Sequence, residues 1–354
     1  MDVPITTLTP LWTGGIETGK VDRLHETGIL GSLRWWMEAL VRGMGGEVSD
    51  PTQNERSGFD KKKYDESKAS EEAARLREAG LCDVSQIFGA TGWRKRFRLE
   101  IEDYTKSDSA VQPQIRAQRS YNKNGGNQNP TWYFPQNANE KPRSGALTLR
   151  IQSLHPDFKP EVIGGLLQFL ADWTAIGARP QMGFGVIELA NGRLDTQPLY
   201  DWLLTTAGSK SYHQLPSLRN IFLARIHLPG AQEQATFNLK YDLRRLFAAD
   251  QPLRHFIMGT VRDGRIASKI KVSRPFGDGL LRVWGWIPEE ATQYRDSWSG
   301  KTVAQAIHDH LQMNYALQIW REFNSLRDSV APNSGDAAAF LRGLLGLEEA
   351  DDAA

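Results

Sequence analysis

Along residues 96–103 apolar and charged positions alternate: Phe97, Leu99 and Ile101 fall on one face and Arg96, Arg98 and Glu100 on the other. That is the period of a half-buried strand. Leu147, Leu149 and Ile151 repeat the pattern between Ala146 and Leu154. Two other segments follow the helical period. From Gly31 to Met44, Leu33, Trp36, Met37, Leu40, Val41 and Met44 recur at three- and four-residue spacing, and Gly45-Gly46 ends the run. Val162 to Ile176 is a second, more uniformly apolar helix, stopped by Gly177. A β-rich, Pro-interrupted stretch from Ile5 to Trp12 suits a strand near an edge. With a last strand from Phe184 to Leu189, the first half reads β-α-β-β-α-β.

The second half partly repeats this order: strand Ile221–Leu228, helix Tyr241–Met258, strand Ile266–Val272, strand Leu280–Ile287, helix Thr302–Phe323, then a helical segment Ala337–Leu347. No fourth strand emerges. The expected fold is therefore α+β: two ferredoxin-like βαββαβ domains, the second incomplete. Two stretches interrupt the first domain. Residues 47–80 are polar and nearly charge-balanced, an insertion with a solvated helix from about Glu71 to Glu78. Residues 105–145 are rich in Asn, Gln, Gly and Pro and read as one long loop, a feature usually kept for function. The boundaries fall at 1–210 and 215–354, with the linker in 204–216. The 354 residues agree, at roughly 150 per domain.

Composition excludes more than it assigns. No apolar run approaches the roughly 18–20 residues of a membrane helix. The first residues lack a basic segment followed by an apolar one, so a secretion signal is not expected and a cytoplasmic location is. The single cysteine, Cys82, rules out an internal disulfide and any zinc site built from several thiolates. The seven histidines are scattered, and His308 with His310 makes no metal site. Neither metal nor cofactor is expected.

The net charge is only +1, from 43 Lys/Arg against 42 Asp/Glu, but it is segregated. RKRFR at 94–98 carries four cations in five residues. Residues 112–150 hold six cations against Glu140, and 262–274 hold five against Asp263. The acidic balance sits elsewhere, notably in the tail from Asp336. Each basic run alone is an ordinary solvated face. Three of them, beside glycines, aromatics and amides such as Trp93, Trp132 and Tyr133, give the mixture that holds phosphates and stacks bases.

Three glycine motifs carry candidate chemistry. Gly14 to Lys20 has the spacing of a phosphate-binding P-loop, but Val21 stands where Ser or Thr would hold magnesium; what remains is a glycine loop presenting Lys20. Gly28-ILGSLRWW-Trp36 opens the first helix with Gly28, Gly31 and Ser32, then Arg34 a turn in. Free N–H groups there suit a phosphate, and a plain capped helix explains the same residues. Gly177-ARPQMGFG-Gly185 joins a helix to a strand, the reverse of a dinucleotide fingerprint, and holds Arg179 and Gln181 on a loop whose backbone can approach a ligand closely.

Taken together with Gln86-IFGATGWRKRF-Phe97, the last two motifs resemble the RAMP superfamily of CRISPR effector proteins, and within it the subunit type numbered first in the Cmr (type III-B) complex. The resemblance covers the first domain in motif order and spacing. It reaches the second loosely, through residues 259–275. It implies two RNA-recognition-type domains in a non-catalytic subunit that binds the 3′ region of a guide RNA and the paired target RNA at the head of a ribonucleoprotein, beside other RAMP subunits. Carried onto this chain, the RNA-binding positions are Gly28, Gly31, Ser32 and Arg34 at the helix start and Arg179, Gln181, Gly183, Phe184 and Gly185 in the loop. The residues themselves add Lys20, Arg42, Arg94, Lys95, Arg96 and Arg98 for phosphates and Trp93 or Phe184 for a base. Two alternatives stay open. Some RAMP proteins cut repeat RNA without metal using a histidine near the first helix, where this chain has His25, although the sequence offers it no partner. A purely architectural subunit is the other.

Overall fold

The computed structural model describes residues 1–15, 22–50, 58–108, 114–133, 142–261, 264–289 and 298–347. The alternating segments pair as expected. β1 (Asp2–Thr7), β2 (Phe97–Asp103), β9 (Ala146–Ser153) and β10 (Ile187–Leu189) form an antiparallel sheet in the order β10-β1-β9-β2. Its register sets Ile5 opposite Leu147 and Leu189, and Leu99 opposite Ile151. Every one of these side chains is buried. α1 (Glu26–Gly43) connects β1 towards β2, and α5 (Glu161–Trp173) connects β9 to β10.

The second sheet holds β11 (Ile221–His227), β12 (Ile270–Val272), β13 (Leu280–Trp286) and β14 (Ala316–Glu322) in the antiparallel order β12-β13-β11-β14. This corrects the expectation of an incomplete second half. The helix expected over 302–323 ends at Asn314, as α9 (Gly300–Asn314), and the chain turns into β14. The apolar spacing through Trp320 fits either period. What decides is β11, whose open edge takes the segment, with Trp320 stacked on Phe222 at 4.8 Å and 10°. Cross-strand aromatic pairs of this kind stabilise a sheet. The helix expected over 241–258 is two helices, α7 (Glu233–Leu246) and α8 (Gln251–Met258), with Asp250 capping the second and Pro252 in its first turn.

The sheets share the α1/α5 layer. Ile221, Leu223 and Trp284 join one core with α1 and α5, whereas Phe222, Ala224, Ile226 and Val283 face α7 and α9. Residues 162–171 of α5 are buried without a break. A helix covered on both sides reads as apolar all round, which is why its sequence shows no clear stripe. Cations of the second sheet meet its C-terminus: Arg282 donates to Ala171 O at 2.5 Å and Thr174 O at 2.8 Å. The negative end of the helix favours this placement.

Both interruptions of the first half are more ordered than the sequence suggests. The insertion contains α2 (Lys61–Glu66) and α3 (Glu72–Glu78), with α4 (Asp83–Phe88) following it, and α3 is anchored by Leu76, which is buried. The long loop is a ribbon: β3 (Lys106–Ser107) pairs with β8 (Arg143–Ser144), β4 (Gln114–Arg116) with β7 (Thr131–Tyr133), and β5 (Tyr121–Lys123) with β6 (Gly126–Gln128). Its tip is Asn124-Gly125, both at positive φ, 54° and 81°. That is the two-residue hairpin turn Asn-Gly favours, a signal present in the sequence. After β10, α6 (Gln197–Thr205) packs on α5, and the C-terminal α10 (Ala337–Leu344) returns to the first core, where Leu344 O accepts from Trp173 Nε1 at 2.8 Å.

Candidate nucleic-acid interface

The three motif segments meet at the first turns of α1. Ser32 Oγ donates to Ile29 O and accepts the backbone N–H of Gly177 at 3.0 Å, which ties the glycine loop to the helix. Two residues on, the Arg34 guanidinium bonds Gly89 O at 2.9 Å, Ser85 Oγ at 3.1 Å and Glu38 at 3.0 Å. It thereby ties the QIFGATGW segment to the same helix. The convergence is real, but Ser32 and Arg34 make it, and their polar groups are engaged in doing so.

The helix begins at Glu26 rather than at the glycines. Gly31 and Ser32 lie inside it, so their N–H groups are not free for phosphate, contrary to the expected cradle. Gly28 has a packing role: a Cβ there would lie 2.7 Å from Thr13 O. Arg42 is also unlike its expected phosphate-holding role. It is 2% exposed, bonded to Pro216 O and Glu38.

The glycine-rich loop is largely covered. Gly183, Phe184 and Gly185 are buried, so Phe184 does not present a face to a base. Its ring is covered, with Arg274 over it at 4.5 Å and Trp12 stacked against it at 6.1 Å; Arg179 sits 3.9 Å over Trp12. Cations over aromatic faces are attracted by the ring quadrupole. Arg179 holds its place with φ +56°, a left-handed conformation rarely kept outside glycine without tertiary support. Gly183 lets the Arg274 backbone approach, and its carbonyl accepts the Arg274 N–H at 3.0 Å. Gln181 is exposed, and its carbonyl accepts from Lys240.

In the basic run, Arg96 pairs with Glu72 at 3.2 Å beneath Trp93, and the Trp93 indole N–H donates to Gln86 O at 3.0 Å. Arg98 pairs with Glu100 at 2.7 Å but stays 60% exposed. Arg94 is exposed and Lys95 half-exposed, and no ion pair holds either among the described residues. Lys20 lies outside the described residues, as do the side chains of Trp132 and Tyr133. Glu72, His155 and Asp157 bring ligand atoms within 4.8 Å of one another, but Arg96 already neutralises Glu72 and opposes a cation there.

Two features were not legible in the sequence. His25 does have a partner: its Nε2 lies 2.6 Å from Asp22 Oδ1, and that hydrogen bond holds the Asp22 carboxyl below its usual range. The other is a cationic seam. Lys271 of β12 lies over Trp35 of α1, Lys269 just before that strand donates to Phe256 O of α8 at 2.8 Å, and Lys240 reaches in from α7. Burial pushes the Lys240 ammonium down from 10.5 to about 8, and burial with the neighbouring lysines does the same to Lys271. Below pH 8 the folded chain bears the full cost of a charged, buried Lys240. Between about 8 and 10.5 the unfolded chain binds more protons, so stability rises with pH. Urea unfolding should show a gain of up to about 3 kcal/mol across that window relative to Lys240→Met; parallel pH curves for the two proteins would refute the assignment.

An antiparallel α/β chain whose glycine loop, QIFGATGW segment and first helix meet at one place defines the class. The chain matches the RAMP superfamily over residues 4–188, and it belongs to that superfamily. No curated protein matches it. Among solved structures it is similar to apo Cmr1 from Pyrococcus furiosus, with 13% identity over 87% of this chain and 96% of that one and a TM-score of 0.42. It is also similar to a chain of type III-B Cmr-beta bound to cognate target RNA and AMPPnP in the presence of ssDNA, with 10% identity, coverage of 88% and 98%, and a TM-score of 0.42. A third similarity is to a chain of Cmr-beta bound to cognate target RNA, with 10% identity, coverage of 80% and 93%, and a TM-score of 0.38.

Proposed function

We propose that this chain is a non-catalytic RNA-binding subunit of a type III-B CRISPR (Cmr) effector complex, holding the 3′ region of the guide RNA and the paired target RNA at the head of the assembly. The observation that carries the reading is the RAMP match over residues 4–188, a span that contains all three motifs. Guide RNA, target RNA and other RAMP subunits are the partners, in the cytoplasm. Two ferredoxin-like, RRM-like domains, 1–210 and 215–354, are the units, with α10 docked on the first. Arg94, Lys95 and Arg98 supply the accessible charge, and Lys20 is proposed as a further phosphate contact. Backbone capture without base reading suits a protein that accepts any guide.

The test is a titration with labelled single-stranded RNA of about 20 nucleotides at salt concentrations from about 50 to 200 mM. Wild type should bind with an affinity that falls steeply with salt. Arg94→Ala/Lys95→Ala should flatten the log–log slope by about 1.4, since each lost phosphate contact removes roughly 0.7 on a single strand. Binding insensitive to salt would overturn the reading.

One observation favours a second reading, a metal-independent endoribonuclease acting on repeat RNA. The Asp22–His25 pair at 2.6 Å fixes a proton on Nε2 and leaves Nδ1 as the basic nitrogen that would take a 2′-hydroxyl proton. Incubation with repeat RNA in EDTA decides it. Cleavage lost in His25→Ala would establish the enzyme, and intact RNA would eliminate it.

A further inference from the structure

The ribbon does not stand free. Gln118 N–H donates to Asn238 Oδ1 at 2.6 Å, and Arg119 makes a forked pair with Asp242 at 3.0 and 3.1 Å. Two residues of α7 thus hold the Asn124-Gly125 hairpin beside the second half of the chain. Between hairpin and helix lies a cleft of about 360 Å³, within the range of small-ligand sites. One wall is Tyr121. The opposite wall is one face of α7 and the turn that follows it, where Tyr241, Arg244, Arg245 and Ala248 follow at i, i+3, i+4 and i+7, and Arg254 of α8 closes the end.

The charge of this cleft is unbalanced. No carboxylate lines it, and among the described residues no ion pair joins any of the three arginines to an acid. Arg244 spends one donor on Gly259 O at 3.1 Å, of the five a guanidinium carries. Arg254 keeps Nε buried with no partner. Burial and the Arg254 charge push the Arg244 guanidinium down, the signature of like charges gathered without a counterion. An anion relieves that repulsion, and a tetrahedral phosphate offers oxygens to several guanidiniums at once. The ring centroids of Tyr121 and Tyr241 are 6.1 Å apart and tilted by 41°, which provides aromatic surface for a planar ring beside the charges.

We infer that this cleft takes one nucleotide unit, with its phosphate among Arg244, Arg245 and Arg254 and its base against Tyr121 and Tyr241. The unit is either a free nucleotide or one residue of a single-stranded RNA; the chemistry recognised is the same. The cleft shares no residue with the Arg94–Arg98 run and stands without the RNA reading above.

The experiment measures binding of AMP and of oligouridylate of about 16 nucleotides to the full chain, with Arg245→Glu and Tyr121→Ala as separate variants. Arg245 is exposed and Tyr121 sits on the hairpin, so the fold should survive both changes, and circular dichroism confirms it. Arg245→Glu should weaken binding by about tenfold or more, and Tyr121→Ala by about fivefold or more. Weakening in the AMP arm assigns a free-nucleotide site, and weakening in the oligouridylate arm alone assigns a residue of RNA. Wild type that binds neither probe overturns the inference. Wild type that binds RNA, with both variants unchanged in both arms, also overturns it while leaving the RNA-binding reading intact.

Discussion

Gly185→Ala should destabilise the chain by about 2–5 kcal/mol, combining roughly 1–2 for an alanine in left-handed backbone with 1–3 for overpacking. Gly185 has φ +90°, and an added Cβ would lie 2.0 Å from Ile176 O. That contact is backbone against backbone, so no rotamer relieves it. The same residue closes two bonds that hold the loop: its carbonyl accepts the Ile176 N–H and its own N–H donates to Pro10 O, both at 2.9 Å. Displacing it separates the end of α5 from the chain that follows β1. At roughly 2.1 cal/mol/K of unfolding entropy per residue, the loss corresponds to a Tm lower by about 3–7 °C. Gly31→Ala is the control. It lies inside α1 with nothing within 4 Å of the new Cβ, and alanine there should stabilise by about 0.4–1 kcal/mol. Thermal melts that rank Gly185→Ala level with wild type would contradict the loop geometry.

Asp328→Ala should cost a similar 3–5 kcal/mol, for an electrostatic reason. Its carboxylate is fully buried and bonds Arg321 Nε at 3.0 Å and the N–H groups of Glu322, Val330 and Ala331 at 2.7–3.0 Å. Removing it strands a guanidinium that is 2% exposed, and an unpaired buried charge is what makes breaking such a pair expensive. The effect reaches beyond β14, because Arg321 lies over Phe340 of α10 at 5.2 Å and Trp173 of α5 at 5.9 Å. Loss of the pair therefore loosens the second sheet from the first core. The paired change Arg321→Met/Asp328→Leu should recover most of the loss, since replacing both partners by apolar groups is often near neutral. Urea unfolding of the three variants measures this directly; a double variant as unstable as Asp328→Ala would show that packing, not charge, is responsible.

Particular elements show how far the chain could be read without coordinates. The strand at 97–103 and the one at 146–153 were legible because alternation is local and one face of each is buried. The hairpin at Asn124-Gly125 was equally legible in principle, but the polar run around it reads as loop. β14 was not, because its apolar spacing continues that of α9 and only the open edge of β11 distinguishes strand from helix. The candidate site divides in the same way. Residue type and segment order marked the three motifs, and the RAMP match covers them. Which of their side chains remain available was invisible, as were the Asp22–His25 pair and the cleft beside Tyr121.

The sequence by itself determined the succession of elements, the segregation of charge and the segments that converge, because each is a property of neighbouring residues. The tertiary structure alone decided which cations are spent and which are free. Arg34 is held by Gly89, 55 residues away, Lys240 by Gln181, 59 away, and Arg42 by Pro216, 174 away. A guanidinium or ammonium makes the same entry in the composition whether it faces solvent, a carbonyl or a carboxylate. Its hydration, its pKa and its capacity to hold a phosphate are set by partners that only the folded chain brings within hydrogen-bond distance.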